Sequence, residues 1–289
     1  MGAALPSEAN SSSNSRVHIN PVPKNPLPIN ENSFGYGAFF EKQVNDLQFY
    51  EPAIPQFISR AIDFRVLWGD GYPQVSNQGS LGACTAFAVV GAMECASRQF
   101  TRIPIWELDP LFLYGKTIKC GNIQCRDVGA TVLDAVKAST HGVSQKLPGI
   151  KSTWNEPPSQ MQLSSAMSHR VLKFGRIKQN LATFRTLLSQ QIAIVFALAI
   201  SVDANSWMHS TERQRPSYVF PTPWGNQDID TVMGAHAVVI VGFSDAGRLF
   251  TVRNSWGKSW GAEGHFYISY ETLLTPLWCR DFYALLEIS

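Results

Sequence analysis

NQGSLGACTAFAVVGAMECA, residues 77–96, sets one cysteine, Cys84, among small residues at the head of an apolar run. Ser80, Gly82 and Ala83 let the backbone approach a ligand closely, and the run from Ala83 reads as a buried helix. Cys84 then sits in the first helical turn, where the helix dipole favours thiolate over thiol. A cysteine so placed is a candidate nucleophile, and its chemistry needs a base from elsewhere in the chain.

GAHAVVIVGFSDAGRLFTVRNSWGKSWG, residues 234–261, offers that base. His236 lies in AHAVVIVGF, a strand apolar on both faces and therefore central, where a histidine needs a partner. If Asp245, Ala246 and Gly247 form a three-residue turn, Ser244 faces Arg248 and Val238 faces Asn254. Asn254 then shares the face of His236, within side-chain reach across the strands. Its side-chain oxygen can accept from one imidazole nitrogen and leave the other as a base. Trp256 falls opposite His236 on the same face and can shield that bond from water. Imidazolium beside Cys84 stabilises the thiolate, while Gln78 and the Cys84 N–H can donate to the oxyanion formed on attack at a carbonyl. Taken together the four residues imply a cysteine hydrolase.

The same residues carry a family resemblance. NQGSLGACTAF resembles the nucleophile segment of the papain-like cysteine proteases, and GAHAVVIVGF with RNSWGKSWGAEGHFYI resembles that family's histidine and asparagine segments. The likeness runs from about Asp63 to Ile288 and is closer to bacterial members than to plant or animal ones. It implies an α+β papain-like fold, with a helical half packed against a β-barrel-like antiparallel sheet half and the active-site cleft between. It also implies Cys84 as nucleophile, His236 as acid and base, Asn254 as its orienter and Gln78 as oxyanion donor. Gly129 and Ala130, in DVGATVLDA, match the segment that holds substrate backbone, and Trp256 joins them along the cleft. The expected reaction is endopeptidase cleavage of polypeptide through a thioester on Cys84, with no cofactor and no metal. A silent peptide-binding module and a thiol acyltransferase are the alternatives. Two positions depart from the pattern: Leu81 stands where the family usually has a disulfide cysteine, and Thr85 where an aromatic usually follows the nucleophile. Without that bridge, another contact must fix the nucleophile loop.

Composition bounds the rest. A chain of 289 residues, 45% hydrophobic and 16% charged, can bury a sizeable core. Its 24 basic and 22 acidic residues are scattered, so no footprint for nucleic acid or an anionic membrane stands out. The longest apolar run, Ile192 to Ile200, is too short to span a bilayer. No secretory signal is visible in MGAALPSEANSSSNS, and localisation stays open. Of five cysteines, Cys95 and Cys279 read as small core residues, whereas Cys120 and Cys125 can be loop thiols, a local bridge or half a metal site.

Residues 1–55 are rich in serine and proline and read as a tail, either a disordered extension or a segment that covers the active site or is removed. Phe34, Tyr36, Phe39 and Phe40 favour the covering alternative, since such rings need somewhere to pack. The catalytic domain is expected over 56–289, mainly helical over about 56–165 and mainly β over 166–289. Its helices include one from Pro110 capped by Asp109 and one in VGATVLDAVKAST that stops at Gly142. The remaining histidines, His18, His141, His169, His209 and His265, are expected at the surface or in packing roles.

Overall fold

The computed structural model describes residues 36–41, 47–53, 55, 58–100, 107–120, 125–210, 217–221 and 232–289. The front of the chain forms strands β1 (Ala38–Phe39), β2 (Phe49–Tyr50) and β3 (Ala61–Asp63), then helices α1 (Phe64–Trp68), α2 (Cys84–Phe100) and α3 (Pro110–Thr117). β4 (Ala130–Thr131), α4 (Val132–Ser139) and α5 (Gln160–Ala166) follow. The back half holds β5 (Val171–Ile177), α6 (Leu181–Ser189), β6 (Ile194–Ser201), α7 (Val202–His209), β7 (Val232–Ser244), β8 (Leu249–Arg253), β9 (His265–Ser269), α8 (Tyr270–Leu273) and β10 (Cys279–Ile288). Among the described residues, helices predominate between α1 and α5, and strands from β5 onward.

Local chemistry fixes the helix ends. The Asp109 carboxylate accepts from the N–H groups of Leu111 and Phe112 at 3.0 and 3.3 Å, with Pro110 in the first turn. Thr131 and Asp134 close a reciprocal capping box on α4. Helix α2 is apolar over most of its surface because it is the central helix: Ala86, Val89, Val90 and Met93 are all buried against the sheet and its helical neighbours. Cys95 and Cys279 are buried free thiols within the same core, and Cys120 is joined to Cys125 in a disulfide, so the bridge is the alternative the structure takes.

The sheet orders its strands β2-β5-β10-β6-β7-β1-β4, with β3, β8 and β9 branching from this path. It stays open and does not close into a barrel. β6 and β7 form its centre, paired antiparallel from Ile194 with Ile240 to Leu198 with His236, and every residue of β6 is buried. His236 thus lies on a strand covered on both faces.

The β7–β8 hairpin differs from expectation in an instructive way. Its turn has four residues, because Ser244 faces Leu249, not Arg248. A shift of one should send Asn254 to the wrong face. A bulge between Ile240 and Gly242 takes the extra residue back, and by Val239 opposite Arg253 the ladder has returned to the register that points Val238 at Asn254.

Arg253, next to Asn254, is buried and donates to the carbonyls of Pro73 and Gln74 at 2.6 Å each, with the Glu94 carboxylate of α2 at 3.5 Å. It therefore ties the end of β8 to the loop leading into the nucleophile segment and to the central helix. Four helices were not legible in the sequence: α1, α8, α7, which follows β6 directly, and α5, inside what reads as a connector. Part of the tail lies in the sheet. β1 pairs parallel with β4 and antiparallel with β7, and β2 pairs parallel with β5. Residues 1–35 of the tail, Phe34 among them, lie outside the described residues.

Candidate active site

Cys84 opens α2 and is fully buried, as is His236 on β7. The backbone N–H groups of Ala237, Gly37, Thr85 and Cys84 itself point at the sulfur. Ala237 directly follows His236, so the thiol lies against β7 at the strand position next to His236. One ring nitrogen of His236, Nε2, is 2.8 Å from the Asn254 Oδ1. Among the described residues the other, Nδ1, has no hydrogen-bond partner. Asn254 Oδ1 also accepts from the Ser255 N–H at 2.8 Å, which holds the amide in the orientation that presents oxygen to the ring.

Gln78 is built into the same wall. Its N–H donates to the Ser255 carbonyl at 2.9 Å, and its side-chain oxygen accepts from the Ser255 hydroxyl. Its Nε2 donates to the Leu81 carbonyl at 2.7 Å. Asn77 bridges Trp256, and the Gly257 N–H donates to the Ser76 carbonyl at 3.1 Å. Residues 76–78 and 255–257 are therefore laced together, so that Gln78, Asn254 and Trp256 share one frame. The Trp256 ring lies 5.1 Å from that of His236, centroid to centroid.

The cleft holds the chain's own tail. Ala38 pairs with Ala130 on the helical side and with Ala235 on the sheet side. The Ala130 N–H donates to the Gly37 carbonyl at 2.7 Å. Tyr36 places its ring 5.7 Å from His236, 6.0 Å from Trp256 and 5.8 Å from His209. At the other end, Glu41 accepts from the Leu133 N–H at 3.1 Å and from the Tyr283 hydroxyl at 2.7 Å. Gly37 passes between Gly82 and Gly129 with no room to spare. A Cβ on Gly37 falls 1.8 Å from the Gly82 oxygen, and one on Gly129 falls 2.2 Å from the Gly37 oxygen. Gly129, at φ 72°, is in the left-handed region, which glycine adopts without strain.

This enclosure moves both titrating groups away from an ion pair. Burial raises the Cys84 thiol above its ordinary value, although the four N–H groups pull the other way. Burial likewise pushes His236 down to about 4 against the Asn254 hydrogen bond, with His209 adding repulsion. At neutral pH the covered pair is thiol and neutral imidazole.

Of the seven expected residues, Cys84, Gly129, Ala130, His236 and Trp256 each lie against residues 36–38, while Asn254 joins them through His236 and Gln78 through Ser255. His209, expected at the surface or in a packing role, comes from α7 and stacks on Trp256 at 5.5 Å. Sequence reading missed Ser255, whose only signal is its place beside Asn254. His265 is a packing residue as expected, buried with its Nε2 2.9 Å from the Tyr72 hydroxyl.

Comparisons with known proteins bear on the fold. The family model of the papain family cysteine proteases matches residues 133–275, a span that holds His236 and Asn254. An uncharacterized peptidase C1-like protein of Acanthamoeba polyphaga mimivirus is 23% identical over 224 residues, covering 74% of this chain and 70% of its own. Cysteine proteinase 1 of Dictyostelium discoideum is 24% identical over 209 residues, covering 67% of this chain and 56% of its own. Among solved structures, xylellain, a cysteine protease from Xylella fastidiosa, superposes with a TM-score of 0.73 at 23% identity, over 91% of this chain and 100% of its own. A procathepsin B from Trypanosoma congolense superposes with a TM-score of 0.63 at 13% identity, over 81% and 80%. The two superpositions show a shared fold.

Proposed function

We propose that this chain, a papain-like cysteine peptidase by family match and by fold, is an endopeptidase that stays shut while residues 36–41 lie in its cleft. The observation that carries the reading is the path of the tail. An extended segment runs past Cys84 with polypeptide continuing at both of its ends, hydrogen-bonded to one wall at Ala130 and paired with the other at Ala235. A cleft that admits the middle of a chain suits cleavage of internal bonds.

The tail is held as an inhibitor, not as a substrate. What faces the Cys84 sulfur is the N–H of Gly37, while the carbonyl of that residue is turned to Ala130. A sulfur offered a donor in place of a carbonyl carbon has nothing to attack. Burial also keeps the proton on Cys84 and off His236, so that both geometry and charge oppose reaction.

Once the tail leaves, water and substrate reach the pair, and imidazole takes the thiol proton at Nδ1. The thiolate adds to the scissile carbonyl, forming a carbon–sulfur bond and an oxyanion. The Cys84 N–H and the Gln78 side-chain amide are the donors for that oxyanion. Collapse breaks the carbon–nitrogen bond, and the departing amine takes the proton from Nδ1. Water, deprotonated by His236, then cleaves the thioester and restores the thiol. Asn254 acts throughout by accepting from Nε2, which keeps the ring turned with Nδ1 towards the sulfur.

A peptide blocked at both termini tests the reading, together with a peptidyl epoxide and peptide mapping. Internal cleavage of the blocked peptide, lost in Cys84→Ala, and an epoxide adduct on Cys84, lost in His236→Ala, are expected. Release of terminal residues alone, from unblocked peptides only, refutes the endopeptidase reading. Equal labelling of Cys95 or Cys279 refutes the assignment of the nucleophile.

A further inference from the structure

Leu81 stands where a bridging cysteine is expected, yet the loop carrying Cys84 must still be fixed to something. Gly82, two residues before the nucleophile, donates its N–H to Asp127 Oδ2 at 2.8 Å. The other oxygen of that carboxylate accepts from the Tyr114 hydroxyl. The Tyr114 oxygen in turn accepts from the Gly129 N–H at 3.0 Å. One hydroxyl–carboxylate unit thus holds the two glycines that form the walls of the slot around Gly37.

We infer that Asp127, braced by Tyr114, is a positioning residue that sets the width of the peptide slot and replaces a covalent tie with a hydrogen-bonded clasp. The inference rests on the peptidase reading of the cleft. Three observations support it. The clasp ends on the backbone N–H groups of the residues whose closeness confines the peptide: a Cβ on Gly129 meets the Gly37 oxygen, and one on Gly82 lies 3.3 Å from the Gly37 Cα and 2.9 Å from Asp127 Oδ1. Tyr114 is fully buried on α3, so the brace stands on a rigid helix and not on another loop. A carboxylate accepting from a backbone N–H and from a phenol makes charge-assisted bonds, the stronger kind.

Gly82 also follows Leu81, whose carbonyl accepts from Gln78. A slot that loosens at Gly82 therefore loosens the oxyanion donor as well as the substrate wall. The sulfur itself, held at the start of α2, stays where it is. Loss of the clasp should accordingly lower kcat/KM for a peptide far more than it lowers the reaction of Cys84 with a small alkylating reagent.

The test uses the full chain with Tyr114→Phe, Asp127→Asn and Asp127→Ala. Turnover of a fluorogenic peptide is measured per active site titrated with the epoxide, alongside iodoacetamide alkylation and amide exchange at Gly82 and Gly129. Asp127→Ala should reduce kcat/KM by roughly 10- to 100-fold, the penalty typical of a small misplacement. Its alkylation rate should fall no more than about twofold, on the same reasoning that the sulfur is not displaced. Asp127→Asn, whose amide oxygen can still accept from Gly82, should recover part of the loss. Exchange should quicken at Gly129 alone in Tyr114→Phe and at both glycines in Asp127→Ala. Unchanged kcat/KM per titrated site with only a lowered melting temperature overturns the inference, as does unaltered exchange at Gly82 in Asp127→Ala. If neither the native chain nor a Gly37→Ala chain, in which the tail is displaced, shows turnover, the peptidase reading fails, while the exchange measurements still decide whether the clasp exists.

Discussion

Gly37→Ala should open the enzyme. The added Cβ would lie 1.8 Å from the Gly82 oxygen, 2.2 Å from its carbonyl carbon and 2.3 Å from its Cα, where ordinary contact begins at 3.4 Å. All three are backbone atoms of the nucleophile loop, so no side chain can swing aside, and the tail must retreat by about 1.6 Å, the difference between 3.4 and 1.8. That displacement stretches the 2.7 Å bond from Ala130 past hydrogen-bonding range. Its net value is about 1 kcal/mol. The edge contacts of Tyr36 on His236 and Trp256 contribute about 1 kcal/mol more beyond area burial. Together, about 2 kcal/mol shifts the ratio of open to covered molecules roughly 30-fold. Iodoacetamide alkylation of Cys84, followed by mass spectrometry at low reagent, reads that ratio, and turnover of a fluorogenic peptide should rise in parallel. A Gly37→Ala chain that is alkylated no faster than the native one refutes the idea that the tail controls access to the thiol.

Two further outcomes follow from buried charge. Burial raises Glu41 of the tail to about 7, opposed by the Tyr283 hydroxyl, the Leu133 N–H and Arg176 and assisted by Asp281, so the docked tail favours the protonated acid. An undocked Glu41 is already charged above about pH 4.5, so docking is strongest at low pH and weakens as pH rises towards 7. The ratio of native to Glu41→Gln alkylation rates at Cys84, in which the thiol's own titration cancels, should climb between pH 5 and 7. A flat ratio contradicts this. Arg253→Leu should destabilise the fold by roughly 3–5 kcal/mol in urea denaturation, because Glu94 and two backbone carbonyls lose a buried donor. A loss under about 1 kcal/mol refutes that account.

Much of the site was legible because it follows periodicity. An apolar helix opening at Cys84 and a strand hydrophobic on both faces around His236 are patterns a sequence displays. The pairing of His236 with Asn254 was reached through a three-residue turn that the protein does not have. The bulge near Val241 cancels the longer turn, so the outcome agreed although one step did not. Bulges leave no mark in composition, which is why this one was not foreseen. Asp127 and Ser255 escaped notice for a different reason: each acts through a contact set by loop geometry, and no repeat in the sequence announces it. The tail posed the reverse difficulty. Its rings suggested a docking place, yet the crossing between Gly82 and Gly129 depends on two glycines far apart in the chain.

The chain joins Cys120 to Cys125 while it keeps Cys84 as a free thiol. Peroxide and disulfide reagents act on exposed thiolates, and they carry an unprotected catalytic sulfur to sulfenic acid and beyond. Held dry and protonated under Tyr36 and Gly37, Cys84 offers them neither charge nor access. On the function proposed above, the covering strand would also act as a preservative, letting a reducible bridge and an oxidisable thiol coexist in the same folded molecule until the tail is displaced.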